Sequence, residues 1–131
     1  MAYDPSYAQY IDHTVLKADP TQETLLRFCS EAKQYHFASV CVNPCNVAFV
    51  ARQLEGSGVK TAAVVGFPLG ANKTGIKAAE AREAIADGAS EIDMVINIGA
   101  LKDGRLDFVR EDIRAVVAAS HPTAIVKVII E

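Results

Sequence analysis

The sequence has no apolar run long enough to cross a bilayer. Its opening residues, Met1-Ala2-Tyr3-Asp4-Pro5, have neither the basic nor the apolar region of a secretory signal, so a cytoplasmic location is expected. Cysteine is scarce. Cys29, Cys41 and Cys45 cannot pair without leaving one over, and the Cys41-x-x-x-Cys45 spacing suits neither a redox pair nor a zinc knuckle. Reduced thiols in a cytosolic protein follow as the expectation. Neither sign of charge dominates: 13 Lys and Arg stand against 16 Asp and Glu, for a formal net charge of −3. That balance gives no reason to expect nucleic acid or an anionic membrane as partner. Linkers, low-complexity stretches and charge runs are missing too, so nothing divides the chain into parts.

What remains is an ordinary globular composition. Half of the 131 residues are hydrophobic and 22% are charged, enough for one domain with a real core. Five β-favouring segments stand out, at Tyr10–Leu16, Ser39–Asn43, Lys60–Phe67, Glu91–Ile98 and Ala124–Ile130. Four amphipathic stretches separate them. Thr21–Phe37 places Leu25, Leu26, Cys29 and Ala32 on one helical face. Asn43-Pro44 reads as a cap with proline at the first helical position, before Val47, Val50, Ala51 and Leu54. Thr74–Asp87 is alanine-rich, carries Ile76, Ala79 and Ile85, and stops at Gly88. Asp107 is placed to cap a last helix bearing Phe108, Ile113, Val116 and Val117, which His121-Pro122 ends. The order β-α-β-α-β-α-β-α-β predicts one α/β unit with a parallel sheet.

The strand faces distinguish two architectures. A doubly wound sheet meets helices on both faces, so both should be apolar. Here one face carries Val40 and Val42, then Ile92, Met94 and Ile96, then Val126, Val128 and Ile130. The alternate positions carry Asp12 and Thr14, Cys41 and Asn43, Asp93 and Asn97, and Lys127 and Glu131. Ionisable groups on one face only fit a barrel lumen with helices outside. Ala63, Val65, Val95 and Ile129 are expected to line the same lumen.

Asp93 lies in mid-strand among apolar neighbours, where a carboxylate must be paired or poised for a proton. Lys127 projects to the same side from the next strand, about 4.8 Å away, and is expected to hold Asp93 ionised and oriented. A carboxylate neighbour raises a lysine's pKa and so argues against Lys127 as an imine-forming nucleophile. Asp12 either hydrogen-bonds lumen groups or satisfies backbone amides. His13 faces outward. Cys41 either touches substrate or packs as a neutral residue. Gly66-Phe67-Pro68-Leu69-Gly70 is a tight turn with neither the Walker lysine-serine step nor the G-x-G-x-x-G spacing of a nucleotide loop.

Taken together, Ile11-Asp12-His13-Thr14-Val15-Leu16, Val40-Cys41-Val42-Asn43-Pro44, Val65-Gly66-Phe67-Pro68-Leu69-Gly70, Glu91-Ile92-Asp93-Met94-Val95-Ile96-Asn97 and Val126-Lys127-Val128-Ile129-Ile130-Glu131 resemble the first five barrel strands of the deoxyribose-phosphate aldolases, in order. The resemblance implies a TIM-type (β/α) barrel, here truncated after its fifth strand. It also implies a class I aldolase that cleaves 2-deoxyribose 5-phosphate to glyceraldehyde 3-phosphate and acetaldehyde through a lysine Schiff base, without metal or other cofactor. Asp93 would be the proton-relay carboxylate, with Lys127, Cys41, Asp12 and Thr14 lining the substrate site. In that family the imine lysine lies on the sixth strand in Lys-Thr-Ser-Thr-Gly, a run these residues do not contain; Lys73-Thr74-Gly75 follows the third strand instead. A partial barrel with an inactive site is therefore expected. Its open sheet edges are expected to drive assembly into a homodimer or higher oligomer.

Overall fold

The computed structural model describes residues 5–131; Met1-Ala2-Tyr3-Asp4, read above for a signal, lies outside them. A 3-10 turn at Pro5–Tyr10 leads into β1 (Asp12–Val15), followed by α1 (Gln22–Tyr35), β2 (Ser39–Val42) and a 3-10 turn at Pro44–Asn46. Then come α2 (Val47–Leu54), β3 (Lys60–Val65), α3 (Thr74–Ala86), β4 (Glu91–Val95), α4 (Ile98–Lys102), α5 (Leu106–Ser120) and β5 (Ile125–Ile129). No described helix is long and apolar enough to cross a membrane.

All neighbouring strands pair in parallel, in the order β1-β2-β3-β4-β5. That order decides the architecture. Right-handed crossovers between strands added in sequence put every helix on the same face, whereas a doubly wound sheet reverses its order at a switch point. One face therefore packs on helices: Val40, Val42, Ile92 and Met94 meet Leu25, Val50, Leu54, Ala81, Ala84 and Val116, with Val126 and Val128 against them. The opposite face is the concave one, where Cys41, Ala62 and Val64 form a second small cluster.

Several local expectations are corrected. Ala63 and Val65 belong to the helix-facing core, because the register sets Cys41 beside Ala62 and Val64 beside Asp93. Tyr10 falls in the first 3-10 turn, and Ile98 opens α4, a helix the sequence reading did not separate from the strand before it. Asn97 drives that break: its side chain accepts from Ala100 N at 2.9 Å and caps the new helix. Asn43 does stand at the cap position, before Pro44, but of the short 3-10 turn, and its side chain makes no cap bond; its amide donates instead to Leu16 O at 3.3 Å, tying the ends of β1 and β2 together. Asp107 sits inside the first turn of α5, after Arg105 at the cap position, where its charge still complements the helix dipole. Leu26, Ile76 and Val117 point to solvent.

The exposure of Ile76 reflects what α3 buries instead. Lys77, Ala78, Ala81 and Ala84 form its inner face. Lys77 Nζ donates to Asp112 Oδ2 of α5 at 2.6 Å and to Val95 O of β4 at 3.0 Å, while Thr74 donates to Asp112 Oδ1 at 2.7 Å. Both members of the ion pair are shut off from water, at 0% and 1% exposure. A buried pair of this kind is tolerated when its other donors and acceptors also find partners; here the ammonium meets two acceptors and each Asp112 oxygen one donor. Gly66 makes room for it: its φ is +63°, and a Cβ there would stand 2.9 Å from Lys77 Cε.

Candidate active site

The concave face gathers its ionisable groups at one place. Asp12 opens β1, Glu91 opens β4, Asp93 lies two residues further along β4, and Lys127 is the middle residue of β5. Period-two alternation puts Glu91 and Asp93 on one face, and the pairing of Asp93 with Lys127 brings the lysine alongside. Lys127 Nζ stands 2.6 Å from Asp12 Oδ2, 2.9 Å from Glu91 Oε2 and 3.2 Å from Asp93 Oδ1. Ser39, itself buried, donates to the other Asp12 oxygen at 2.6 Å. Cys41 Sγ donates to Asp93 Oδ2 at 3.6 Å.

Asp93 and Lys127 thus meet as expected, but not as an isolated pair. The lysine's shortest contact is to Asp12, and Asp93 Oδ1 is buried without a hydrogen bond despite its 3.2 Å approach to the ammonium. The electrostatics follow. Burial pushes the Asp93 carboxyl above its ordinary value, and the opposing pull of Lys127 does not overcome it. Lys127 thus favours the ionised carboxylate, as its position suggests, but burial outweighs that pull and the net direction for Asp93 is upward. For Asp12, burial also acts upward, but the hydrogen bonds from Lys127 and Ser39 win and lower its pKa. Burial works to lower the Lys127 ammonium, yet Asp12, Glu91 and the Asp93 charge together raise it above the usual lysine range. Burial and the adjacent Asp93 carboxylate push the Cys41 thiol up to about 12. Such a thiol stays neutral and serves as a weak donor, not a nucleophile.

Thr14 shares the concave face through its register with Cys41, but its hydroxyl donates to Asp12 O at 2.8 Å and it stands in solvent outside the cluster. His13 points the other way, stacked on Phe28 of α1 at 4.2 Å and paired with Glu31 at 2.7 Å. Gly66–Gly70 forms a closed turn at the carboxyl end of β3, with Gly70 N donating to Gly66 O at 2.8 Å. A Cβ on Gly70 would fall 2.0 Å from Ile96 O, so only glycine fits against the end of β4. Glu91 and Ser39 were missed. The signal for Glu91 was available: it precedes Asp93 by two residues, the spacing that puts both on one face. A concavity of about 390 Å³ opens at the amino ends of the strands; Glu91 reaches it, together with Gln9, His36 and Lys60, but Asp12, Asp93 and Lys127 do not line it. Among the described residues no set of three or more His, Cys, Asp or Glu has the arrangement of metal ligands.

The cluster can therefore do acid–base work. It offers one carboxyl with raised proton affinity, held in place by its strand and by Cys41, beside a permanent ammonium. Comparison with known proteins points the same way. The DeoC/LacD family aldolase model matches residues 6–131. A deoxyribose-phosphate aldolase of Geobacillus sp. (strain WCH70) is 59% identical over 124 residues, covering 95% of this chain and 56% of that protein. The crystal structure of a candidate deoxyribose-phosphate aldolase from Coccidioides immitis superposes with a TM-score of 0.90 at 44% identity, over 95% of this chain and 49% of the other. A tetrameric deoxyribose phosphate aldolase from Aeropyrum pernix matches at TM-score 0.79 and 28% identity, over 95% and 52%. The chain spans about half the length of the curated relatives it matches.

Proposed function

Because the chain belongs to the DeoC/LacD aldolase family, we propose that it carries the proton-handling half of a class I aldolase site acting on 2-deoxyribose 5-phosphate. Cleaving the carbon–carbon bond of a lysine imine requires a group that takes the proton from the hydroxyl beside that bond and returns one to the enamine carbon. Asp93 is that group. Its buried, unbonded Oδ1 and raised proton affinity are the observation that carries the assignment. Lys127 offsets the charge of the three carboxylates, Cys41 donates to Asp93, and Asp12 anchors the lysine. Thr14 lines the approach from the carboxyl ends of the strands.

Lys127 is not the nucleophile in this reading. An imine-forming amine must lose its proton, and three carboxylates around this one favour the ammonium. Lys77 is committed to Asp112 within the helix layer. The imine lysine is supplied by residues other than these, and the chain alone does not turn over substrate. The three free cysteines support a reducing, cytoplasmic setting.

The test is complementation. Mixed with the carboxyl-terminal part of the Geobacillus relative that this chain does not match, the chain should release acetaldehyde from 2-deoxyribose 5-phosphate, and Asp93→Asn should abolish that release. Equal turnover by Asp93→Asn would remove the assignment.

A second reading describes the chain by itself. β1 and β5 each pair on one side only among the described residues, and Ile125 and Ile130 are 59% and 71% exposed. Sheet edges of this kind favour self-association, and the isolated chain behaves as a half-barrel that pairs with a second copy.

A further inference from the structure

The position of the Lys127 ammonium is set more by Glu91 and Asp12 than by Asp93. Nζ lies 2.6 Å from Asp12 and 2.9 Å from Glu91, and is furthest, at 3.2 Å, from Asp93 Oδ1, which gains no hydrogen bond from it. Both nearer carboxylates belong to the first residues of their strands. Asp93 sits two residues on, about 6–7 Å nearer the carboxyl end of β4, the end where active sites of such barrels lie. Glu91 and Asp12 therefore draw the ammonium away from the substrate side. Asp12 is also held by a hydrogen bond from Ser39 and Asp93 by one from Cys41, whereas the Glu91 carboxylate makes its ion pair with Lys127.

We propose that Glu91 is a positioning residue that, with Asp12, anchors Lys127 toward the amino ends of the strands and so leaves Asp93 Oδ1 free to exchange a proton with substrate. This rests on the aldolase reading for the meaning of that proton, but not for the geometry. The groups facing Asp93 are Asp12 from β1, Cys41 from β2, Glu91 from its own strand and Lys127 from β5; β3 presents only Ala62 and Val64. An ammonium has three N–H donors that rotate freely. Without Glu91, the ammonium loses one of the two charges that draw it toward the amino ends and moves toward Asp93 Oδ1, already 3.2 Å away. The carboxylate becomes fixed and its proton affinity falls, both from the new bond and from the loss of a neighbouring negative charge.

Titration of the Asp93 side-chain carboxyl by carbon-13 NMR tests this on the chain as it stands. Glu91→Gln should move the Asp93 midpoint downward, and Glu91→Asp, which keeps the charge, should return most of the shift. A midpoint unchanged in Glu91→Gln overturns the proposal, since a purely structural glutamate would alter stability and not this midpoint. If Glu91→Gln does not fold, the unaltered chain decides: the Lys127 Cε resonance should follow the ionisation of Glu91 as well as that of Asp12, and a response to Asp12 alone overturns the proposal. Failure of the complementation assay alongside a shifted midpoint would remove the aldolase reading and leave the positioning role.

Discussion

Lys127 Nζ and Asp12 Oδ2 lie 2.6 Å apart, although one residue is on the last strand of the sheet and the other on the first. Four strand intervals separate them, about 19 Å if the sheet were flat, well beyond what the two side chains can span. The contact exists because the sheet is curled into half a barrel, and it joins the two edges across the concave face.

The stability of that curl should depend on Lys127 and on pH. Lys127→Met leaves three carboxylates without their cation. We expect a loss of about 1–3 kcal/mol at neutral pH, less than for a fully buried pair, because Lys127 is 36% exposed and screened by water. The folded state raises the Lys127 pKa, so its stabilisation is fully present below the ordinary 10.5 and fades as pH rises beyond it. The folded state lowers the Asp12 pKa, so that contribution is lost as pH falls below the ordinary 3.8. Urea unfolding of both chains across pH should show their difference shrinking at each extreme.

The Lys77–Asp112 pair should be the costlier one to break. It is buried at both ends and links α3, α5 and the carboxyl end of β4. Asp112→Asn or Lys77→Met strands a charge with no route to water, at about 3–5 kcal/mol. The double variant should cost less than the sum of the two, and chemical denaturation of the four chains measures it.

Much of the site could be read from alternation alone. Asp93 and Lys127 share a face because each sits among apolar residues pointing the other way, and the same arithmetic reaches Glu91. The contact between Asp12 and Lys127 could not be read in this way, since it depends on the curvature of five strands and not on any local pattern. Nor could the direction of the Asp93 shift: the lysine beside it does pull its pKa down, but burial, which spacing does not measure, outweighs that pull. Lys77 was hidden by its helix. Ala78, Ala81 and Ala84 give a weak amphipathic signal, while Ile76 and Ile85 draw attention to another face; the partner that makes burial of Lys77 possible is 35 residues away.

Self-association should be visible in solution. With Ile125 and Ile130 exposed beside the open edge of β5, we expect sedimentation to report a homodimer or larger species at micromolar concentration. A compact monomer would mean that the edges are satisfied within one chain.

The central claim is that these residues handle the proton while the imine-forming lysine lies elsewhere. The most direct test is borohydride reduction in the presence of 2-deoxyribose 5-phosphate, followed by peptide mapping. No stoichiometric adduct should form on the chain alone, with Lys127 recovered unmodified. A reduced adduct at Lys127 would contradict the account, because it would require the ammonium held by Asp12, Glu91 and Asp93 to be the nucleophile after all.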